Sequence, residues 1–154
     1  MSSDDIPLLF RTSRRIRRDD LRRFLGQVTR LVTRGRRIAC VITGDTEIQR
    51  LNRRFRGRNS VTDVLSFPAS VSAPPSGRDN SFAGDVAISA DRARAQAAAH
   101  GHSIDEELRI LMLHGALHLA GMDHETDSGE MARTEARWRK RLGLPDGLIE
   151  RAGS

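Results

Sequence analysis

Cysteine is almost absent from this 154-residue chain, which contains Cys40 and no other thiol. A single cysteine forms no internal disulfide and builds no thiolate metal site, so disulfide-stapled scaffolds and multi-cysteine zinc modules are excluded. Because Cys40 lies inside the apolar run 38–42, we expect it to be buried. The pattern predicts a protein of the cytoplasm.

Long apolar runs are also missing. No stretch approaches the roughly 18 residues of a membrane span, and residues 1–5 lack both the basic and the apolar region of an export signal. We therefore expect a protein that is neither membrane-inserted nor exported. With 38% hydrophobic residues, residues 1–154 are predicted to form a single globular domain.

Lysine is nearly absent as well, since Lys140 is the one lysine among 26 basic residues and the others are arginines. Against 20 acidic residues they give a net charge of +6 and a pI near 11.1. This balance favours a polyanionic partner, with nucleic acid ahead of an anionic membrane. A codon bias of the source, with solvated arginines, is the alternative explanation.

The spacing of apolar residues predicts the secondary structure. Helices are expected at 19–34, 48–55, 91–99, about 105–120 and about 127–141, and strands at 38–43, 61–67 and 82–89. Residues 70–80 form a long loop, either a connector or a flap over a cleft. Ser103 and Glu106 have capping-box spacing, and the helix that they start is apolar on nearly every face until Gly121 ends it. That helix is predicted to be central and buried.

Two histidines lie on this expected central helix. His114 and His118 are four residues apart, about 40° around the axis and roughly 6 Å along it, so both rings can reach one ion. His124 follows the helix-ending Gly121, where a reversing chain can return a third imidazole to the same point. Three neutral nitrogens suit zinc and leave a fourth position for water. The spacing predicts one divalent metal ion, Zn²⁺ first, although nickel, copper or iron also accept three imidazoles.

The same histidine spacing occurs in the H-E-x-x-H-x-x-G-x-x-H motif of metzincin peptidases. Here Gly115 stands where those peptidases have the glutamate that serves as general base. A glycine cannot accept a proton from a metal-bound water. A peptidase is therefore disfavoured, although the metal geometry can be shared.

Residues 114–124, with the sequence HGALHLAGMDH, resemble the H-G-x-L-H-L-x-G-x-D-H signature of the YbeY family. The members of this family are bacterial metal-dependent endoribonucleases of ribosomal RNA maturation. Further matching segments are 51–56 followed by 62–68, and 84–89. Departures from the family pattern are small: Phe55 stands where tyrosine is common, and Asn59 where aspartate is common.

The resemblance implies an α+β fold, with a small mixed β-sheet flanked by helices and a central buried helix that carries a three-histidine, zincin-like metal site. It implies one metal ion held by His114, His118 and His124, and single-stranded RNA as substrate. It further implies maturation of the 3′ end of 16S ribosomal RNA, ribosome quality control, and contact with the small ribosomal subunit and late assembly factors.

RNA hydrolysis needs an activated oxygen nucleophile and a positive group against the phosphate. The metal, held in part by His114, can serve as activator, so His114 is a candidate catalytic residue. Arg56 is the candidate phosphate clamp, because a guanidinium pairs bidentately with phosphate oxygens. The alternative for Arg56 is an inconsequential surface cation. Non-specific RNA-backbone binding is assigned to the surrounding arginines, Arg53, Arg54 and Arg58, together with Arg56.

Two carboxylates are candidates to orient the metal-bound imidazoles. Asp123 can accept the second ring N–H of one of them, or cap the turn instead. Asp85 can support the site or belong to a strand turn, and we favour the structural role. His100 and His102 lie at a helix end and are expected to be exposed to solvent. No residue stands out as the general acid.

Two main classes of function remain open, beside a third, weaker one. The first is a metal-dependent endoribonuclease. The second is a non-catalytic RNA-binding ribosome-assembly factor whose metal is structural, and a third, weaker interpretation is a metal hydrolase of small substrates. An open, water-bearing coordination position favours the first class, and a closed four-ligand site favours the second.

Overall fold

The computed structural model describes residues 8–69, 81–121 and 129–145. Within them the chain forms four strands and five helices. The strands are β1 (Leu8–Phe10), β2 (Arg37–Thr43), β3 (Val64–Pro68) and β4 (Phe82–Ser89). The helices are α1 (Arg18–Leu31), α2 (Asp45–Arg56), α3 (Ala90–His100), α4 (Ile104–Leu119) and α5 (Glu130–Leu142). The predicted long loop, 70–80, lies outside the described residues.

The strands form one mixed sheet in the order β1-β2-β4-β3, which confirms the expected α+β architecture. β1, β2 and β4 are parallel, and β3 pairs antiparallel with β4. The sequence does not predict β1, because three residues are too few to show a period. This strand forms by pairing with β2, where Leu8 lies beside Cys40 and Phe10 beside Ile42.

The main core lies between one face of the sheet and the helices α1 and α4. Ile38, Cys40 and Ile42 of β2 and Val86 and Ile88 of β4 point into it. Cys40 is buried, as its sequence context predicts, and burial raises the pKa of its thiol to about 12. The thiol is therefore protonated and inert at neutral pH.

The opposite face of the sheet is packed against α2. Its small core consists of Ile48 from α2, Leu65 from β3 and Ala87 from β4. Beyond the register irregularity at the start of β4, Val86 and Ile88 face the main core and Ala87 faces α2, because successive side chains of a strand alternate between the faces.

Helix α4 is the predicted central helix. Its capping box is complete, since the Ser103 hydroxyl accepts the Glu106 N–H and the Glu106 carboxylate accepts the Ser103 N–H, each at 3.1 Å. Its side chains are buried around nearly the whole circumference. Gly121 follows its last turn with a φ of +97°, a conformation that glycine adopts without a steric penalty. No described helix has the length and hydropathy needed to cross a membrane.

The structure places one helix end and one strand start at different residues from those predicted, each for an identifiable reason. Helix α1 ends at Leu31 rather than at 34, because the backbone turns into the left-handed region at Arg34 and Gly35, where the Thr33 hydroxyl shares its one proton between the carbonyl oxygens of Thr29 and Arg36 at 2.9 and 2.7 Å. Strand β3 begins at Val64 rather than 61, where the Asp63 carboxylate accepts the Val64 N–H at 2.8 Å. The predicted start of the last helix, residues 127–128, lies outside the described residues.

The expected exposure of His102 is wrong. Its side chain is 9% exposed, and Nε2 lies 2.6 Å from Oε1 of the fully buried Glu107. His100 is exposed, as predicted. The hydrogen-bonding carboxylate is what allows an imidazole to be buried at this helix end.

Candidate active site

The histidine side chains of α4 converge, as their spacing predicts. His114 is buried and His118 is half-buried. Their Nε2 atoms lie 3.2 Å apart, and the two rings meet edge to face with centroids separated by 4.8 Å. One turn of a buried helix therefore brings two imidazole nitrogens to within 3.2 Å of each other.

This pair fits a shared metal ion. With metal–nitrogen bonds of about 2.0–2.1 Å and tetrahedral angles, two ligand nitrogens lie roughly 3.3 Å apart, close to the observed 3.2 Å. His124 lies outside the described residues. Within 8–69, 81–121 and 129–145, no three potential ligands gather into a metal-binding group. The three-histidine site therefore remains a prediction.

Glu135 of α5 is a site residue that the motifs did not reveal. Its side chain is 1% exposed, and Oε2 lies 3.4 Å from Nδ1 of His114. A carboxylate at Nδ1 holds the proton on that nitrogen and leaves the Nε2 lone pair directed towards the site. Position 135 follows the buried Met131 by one helical turn, so an acidic residue on the apolar face of α5 was the available signal.

Gly115 allows α4 to lie close to the sheet. A Cβ atom at this position would lie 2.9 Å and 3.1 Å from the two Val86 methyl carbons and 3.2 Å from Ser66 Oγ. The Ser66 hydroxyl donates to the Gly115 carbonyl oxygen at 3.2 Å. The residue in the position of the peptidase base is therefore fixed as glycine by packing, which leaves no room for a glutamate side chain.

Arg56 lies on the other side of β3 from this contact. Its Nη2 donates to the Ser66 carbonyl oxygen at 2.8 Å, and its guanidinium lies 5.6 Å from the centre of the Phe67 ring. Ser66 thus contacts Arg56 through its carbonyl and Gly115 through its hydroxyl. The last turn of α2 and the histidine-bearing part of α4 consequently flank the same segment of the edge strand.

The other candidate RNA-binding arginines are exposed around the end of α2. Arg53, Arg54 and Arg58 all face solvent, and Arg54 lies 5.3 Å from the centre of the Phe55 ring. Gly57, at φ +67°, ends the helix between Arg56 and Arg58. The structure therefore gathers four cations at one helix end without burying any of them.

Asp85 does not join the histidines. It is exposed on the α2 face of β4, whereas its neighbours Gly84 and Val86 face α4. An orienting role towards the imidazoles is therefore wrong for Asp85, because the pleat directs its side chain to the other side of the sheet. Asp123, the second candidate for that role, lies outside the described residues.

The described site combines a pair of inward-facing imidazoles, a buried carboxylate behind one of them and a guanidinium across the edge strand. A model of the family described as "Endoribonuclease YbeY" matches residues 11–143. The chain belongs to the YbeY family. The match includes every described site residue, from Arg53 to Glu135.

Individual relatives agree with this family model. The YbeY endoribonuclease of Solibacter usitatus is 52% identical over 139 residues, which cover 90% of this chain and 88% of the relative. That of Koribacter versatilis is 53% identical over 114 residues, or 74% of this chain and 70% of the relative. A solution structure of TM1509 from Thermotoga maritima superimposes with a TM-score of 0.55 at 23% identity, covering 85% of each chain. This last similarity shows the fold alone.

Proposed function

We propose that this chain is a metal-dependent endoribonuclease that cleaves single-stranded RNA. The observation that carries the proposal is the pair of Nε2 atoms, 3.2 Å apart, on a buried helix of a YbeY-family chain. The names of the relatives supply the reaction class, since they are called endoribonucleases. The excess of arginine supplies affinity for a polyanion.

The metal would be held by His114, His118 and His124, with zinc as the ion that three neutral imidazoles suit best and nickel as an alternative. A bound divalent ion supplies a Lewis acid for a phosphate oxygen and lowers the pKa of a coordinated water. The described donors fit this role, because neutral imidazole is a common ligand and the two Nε2 atoms are correctly spaced.

The protein's own side chains have separate tasks in this proposal. Glu135 keeps the proton of His114 on Nδ1, so that Nε2 is available as a ligand. Arg56 is held by the Ser66 carbonyl through one amino group, and its other N–H donors, which bond to no described residue, would bind the scissile phosphate. Arg53, Arg54 and Arg58 bind neighbouring phosphates without reading sequence.

For the cellular substrate we propose precursor 16S ribosomal RNA near its 3′ end, with roles in ribosome quality control. Contact with the small ribosomal subunit and late assembly factors, in the cytoplasm, belongs to the same proposal. Its support is the match of residues 51–56, 62–68, 84–89 and 114–124 to the motifs of the family.

The deciding experiment measures cleavage of unstructured and duplex RNA by purified protein whose metal content is known. We expect unstructured RNA to be cleaved and duplex to resist, since its bases and backbone are less accessible. A chelator should abolish cleavage and added metal should restore it. A folded His118→Ala variant should have lost both its metal and its activity.

Two results would contradict the proposal. Retention of a full metal equivalent by folded His118→Ala protein would show that the ion is bound elsewhere. A metal-loaded wild-type protein that binds unstructured ribosomal RNA and free small subunits, yet cleaves neither, would instead identify the non-catalytic assembly factor.

A further inference from the structure

An apolar groove of about 580 Å³ lies on the α2 face of the sheet, the face opposite to the histidines. Its floor contains Ala39 and Ala87, whose small side chains leave the space open. Leu9 of β1 forms one wall, and Leu51 and Phe55 of α2 form the other. Cavities of this size, mostly apolar with a few polar groups, are typical of small-ligand sites.

Two large apolar side chains in the walls of the groove are exposed to solvent. Leu9 is 57% exposed and Phe55 is 58% exposed. The Phe55 ring meets the ring of Phe67 edge to face, at a centroid distance of 5.6 Å. A planar group placed in the groove can therefore contact aromatic carbon from α2 and β3.

A carboxylate lies among these apolar side chains. Asp85 is paired across the sheet with Phe67 on one side and Ala39 on the other. Desolvation raises its pKa above the usual aspartate value, and within the described part of the chain its carboxylate has no hydrogen bond or ion pair. By contrast, Glu47 in the same groove is bound by Arg11 at 2.8 Å. Asp85 thus offers two acceptor oxygens that no described residue occupies.

We propose that this groove is a nucleobase pocket that holds one unpaired guanine of the RNA substrate. Guanine offers two adjacent donors, N1–H and the N2 amino group, which match the two oxygens of a carboxylate. Adenine, cytosine and uracil each present an acceptor beside their donor, and this acceptor would face the carboxylate. Flipped bases are commonly read by such edge contacts combined with aromatic packing.

The charges around the groove agree with a nucleic-acid occupant. Arg54 lies beside the Phe55 ring and Arg56 beside the Phe67 ring, at 5.3 and 5.6 Å from the ring centres. A base packed against these two rings therefore has its phosphates next to cations, which offsets repulsion by Asp85. Arg56 also contacts Ser66 on the edge strand. One RNA strand can thus occupy the groove and reach the histidine side of β3.

This inference rests on the proposed endoribonuclease function, and its test is independent of cleavage. Wild-type protein labelled in Ala and Val methyl groups is titrated with GMP, AMP, CMP and UMP, and chemical shifts are followed by NMR. We expect saturable shifts at Ala39, Val41 and Ala87, with GMP bound at least about tenfold more tightly than the others.

Two substitutions locate the contacts. Asp85→Asn should weaken GMP binding by roughly tenfold or more, since a carboxamide has one acceptor in place of two. Asp19→Asn, at a side chain 88% exposed on α1, removes the same charge and should leave GMP binding unchanged. Phe55→Ala should weaken the binding of all four nucleotides, because it removes an aromatic ring against which every base can pack.

Several outcomes would overturn the pocket. Absence of groove shifts with every nucleotide would do so, as would equal shifts for all four. Groove shifts with an arginine-containing peptide and none with GMP would identify a protein-docking surface. If the protein cleaves RNA but GMP causes no chemical-shift changes in the groove, the guanine pocket is wrong and the endoribonuclease function stands. If GMP binds in the groove but the protein cleaves no RNA, the proposed endoribonuclease function is wrong and the guanine pocket stands.

Discussion

The imidazole of His114 and the carboxylate of Glu135 face each other inside the protein, with Nδ1 of the first 3.4 Å from Oε2 of the second. The two residues belong to different helices, α4 and α5, and both are buried. A carboxylate behind a histidine fixes which ring nitrogen carries the proton. The packing of α5 against α4 therefore orients the His114 ring so that its Nε2 lone pair is available to a ligand.

Replacement of Glu135 by glutamine should weaken metal binding by about 10- to 100-fold, the usual effect of losing the partner behind a ligating histidine. Competition with a coloured chelator measures the affinity. Glu107→Gln is the matched control, because Glu107 is equally buried and pairs with His102, one of the histidines outside the candidate site. Equal metal affinities in the two variants would contradict the role of Glu135.

Replacement of Gly115 by alanine should destabilise the protein by about 1–3 kcal/mol, since the new methyl group overlaps Val86 and Ser66. The better helix propensity of alanine offsets at most about 1 kcal/mol of this. Urea denaturation gives the free energy of unfolding. In a Val86→Ala background the cost should fall, because the nearest methyl groups are gone, and an unchanged cost would disprove the steric explanation.

Arg56→Lys should slow cleavage on the order of 100-fold while leaving RNA affinity nearly unchanged. Lysine keeps the charge and loses the planar, two-point contact with phosphate. Arg54→Ala should act in the opposite way, weakening binding and reducing the salt dependence of the affinity by about one phosphate contact. Single-turnover cleavage at saturating enzyme, run beside binding titrations at several salt concentrations, separates an effect on cleavage from an effect on RNA binding. Wild-type cleavage by bound Arg56→Lys protein would make Arg56 one more surface cation.

Asp91 should contribute a stability that depends on pH. Its carboxylate accepts the Asp45 N–H at 2.9 Å and two bonds from Arg14 at 2.9 and 2.7 Å. The Asp45 N–H and the Arg14 guanidinium lower the pKa of Asp91 below its usual 3.8. The stabilisation is therefore fully present above this value and is lost as the pH falls below it.

Asp91→Asn should consequently cost about 1 kcal/mol at pH 7, a small value because the Asp91 side chain is 37% exposed. The difference between variant and wild type should shrink towards pH 3. Denaturation by urea at both pH values measures it. Asp19→Asn, at an exposed pair on α1, should show less than half of the effect at pH 7. A cost for Asp91→Asn that is the same at pH 3 and pH 7 would contradict the assignment.

The sequence by itself determined the features that depend on neighbouring residues. The capping box at Ser103, the apolar helix after it and the convergence of His114 with His118 follow from helical spacing alone. The burial of Cys40 follows from the apolar run around it. In each case the residues that make the interaction, or the pattern that predicts it, lie within about two helical turns.

Only the tertiary structure decided which distant residues join them. Glu135 reaches His114 because α5 packs against α4, and β1 exists because β2 provides an edge for pairing. Asp85 lies away from the histidines because α4 packs on the face of β4 that carries Gly84 and Val86. Alternation along a strand predicts that neighbours point in opposite directions, but the packing of a helix against one face determines which direction is the active-site side.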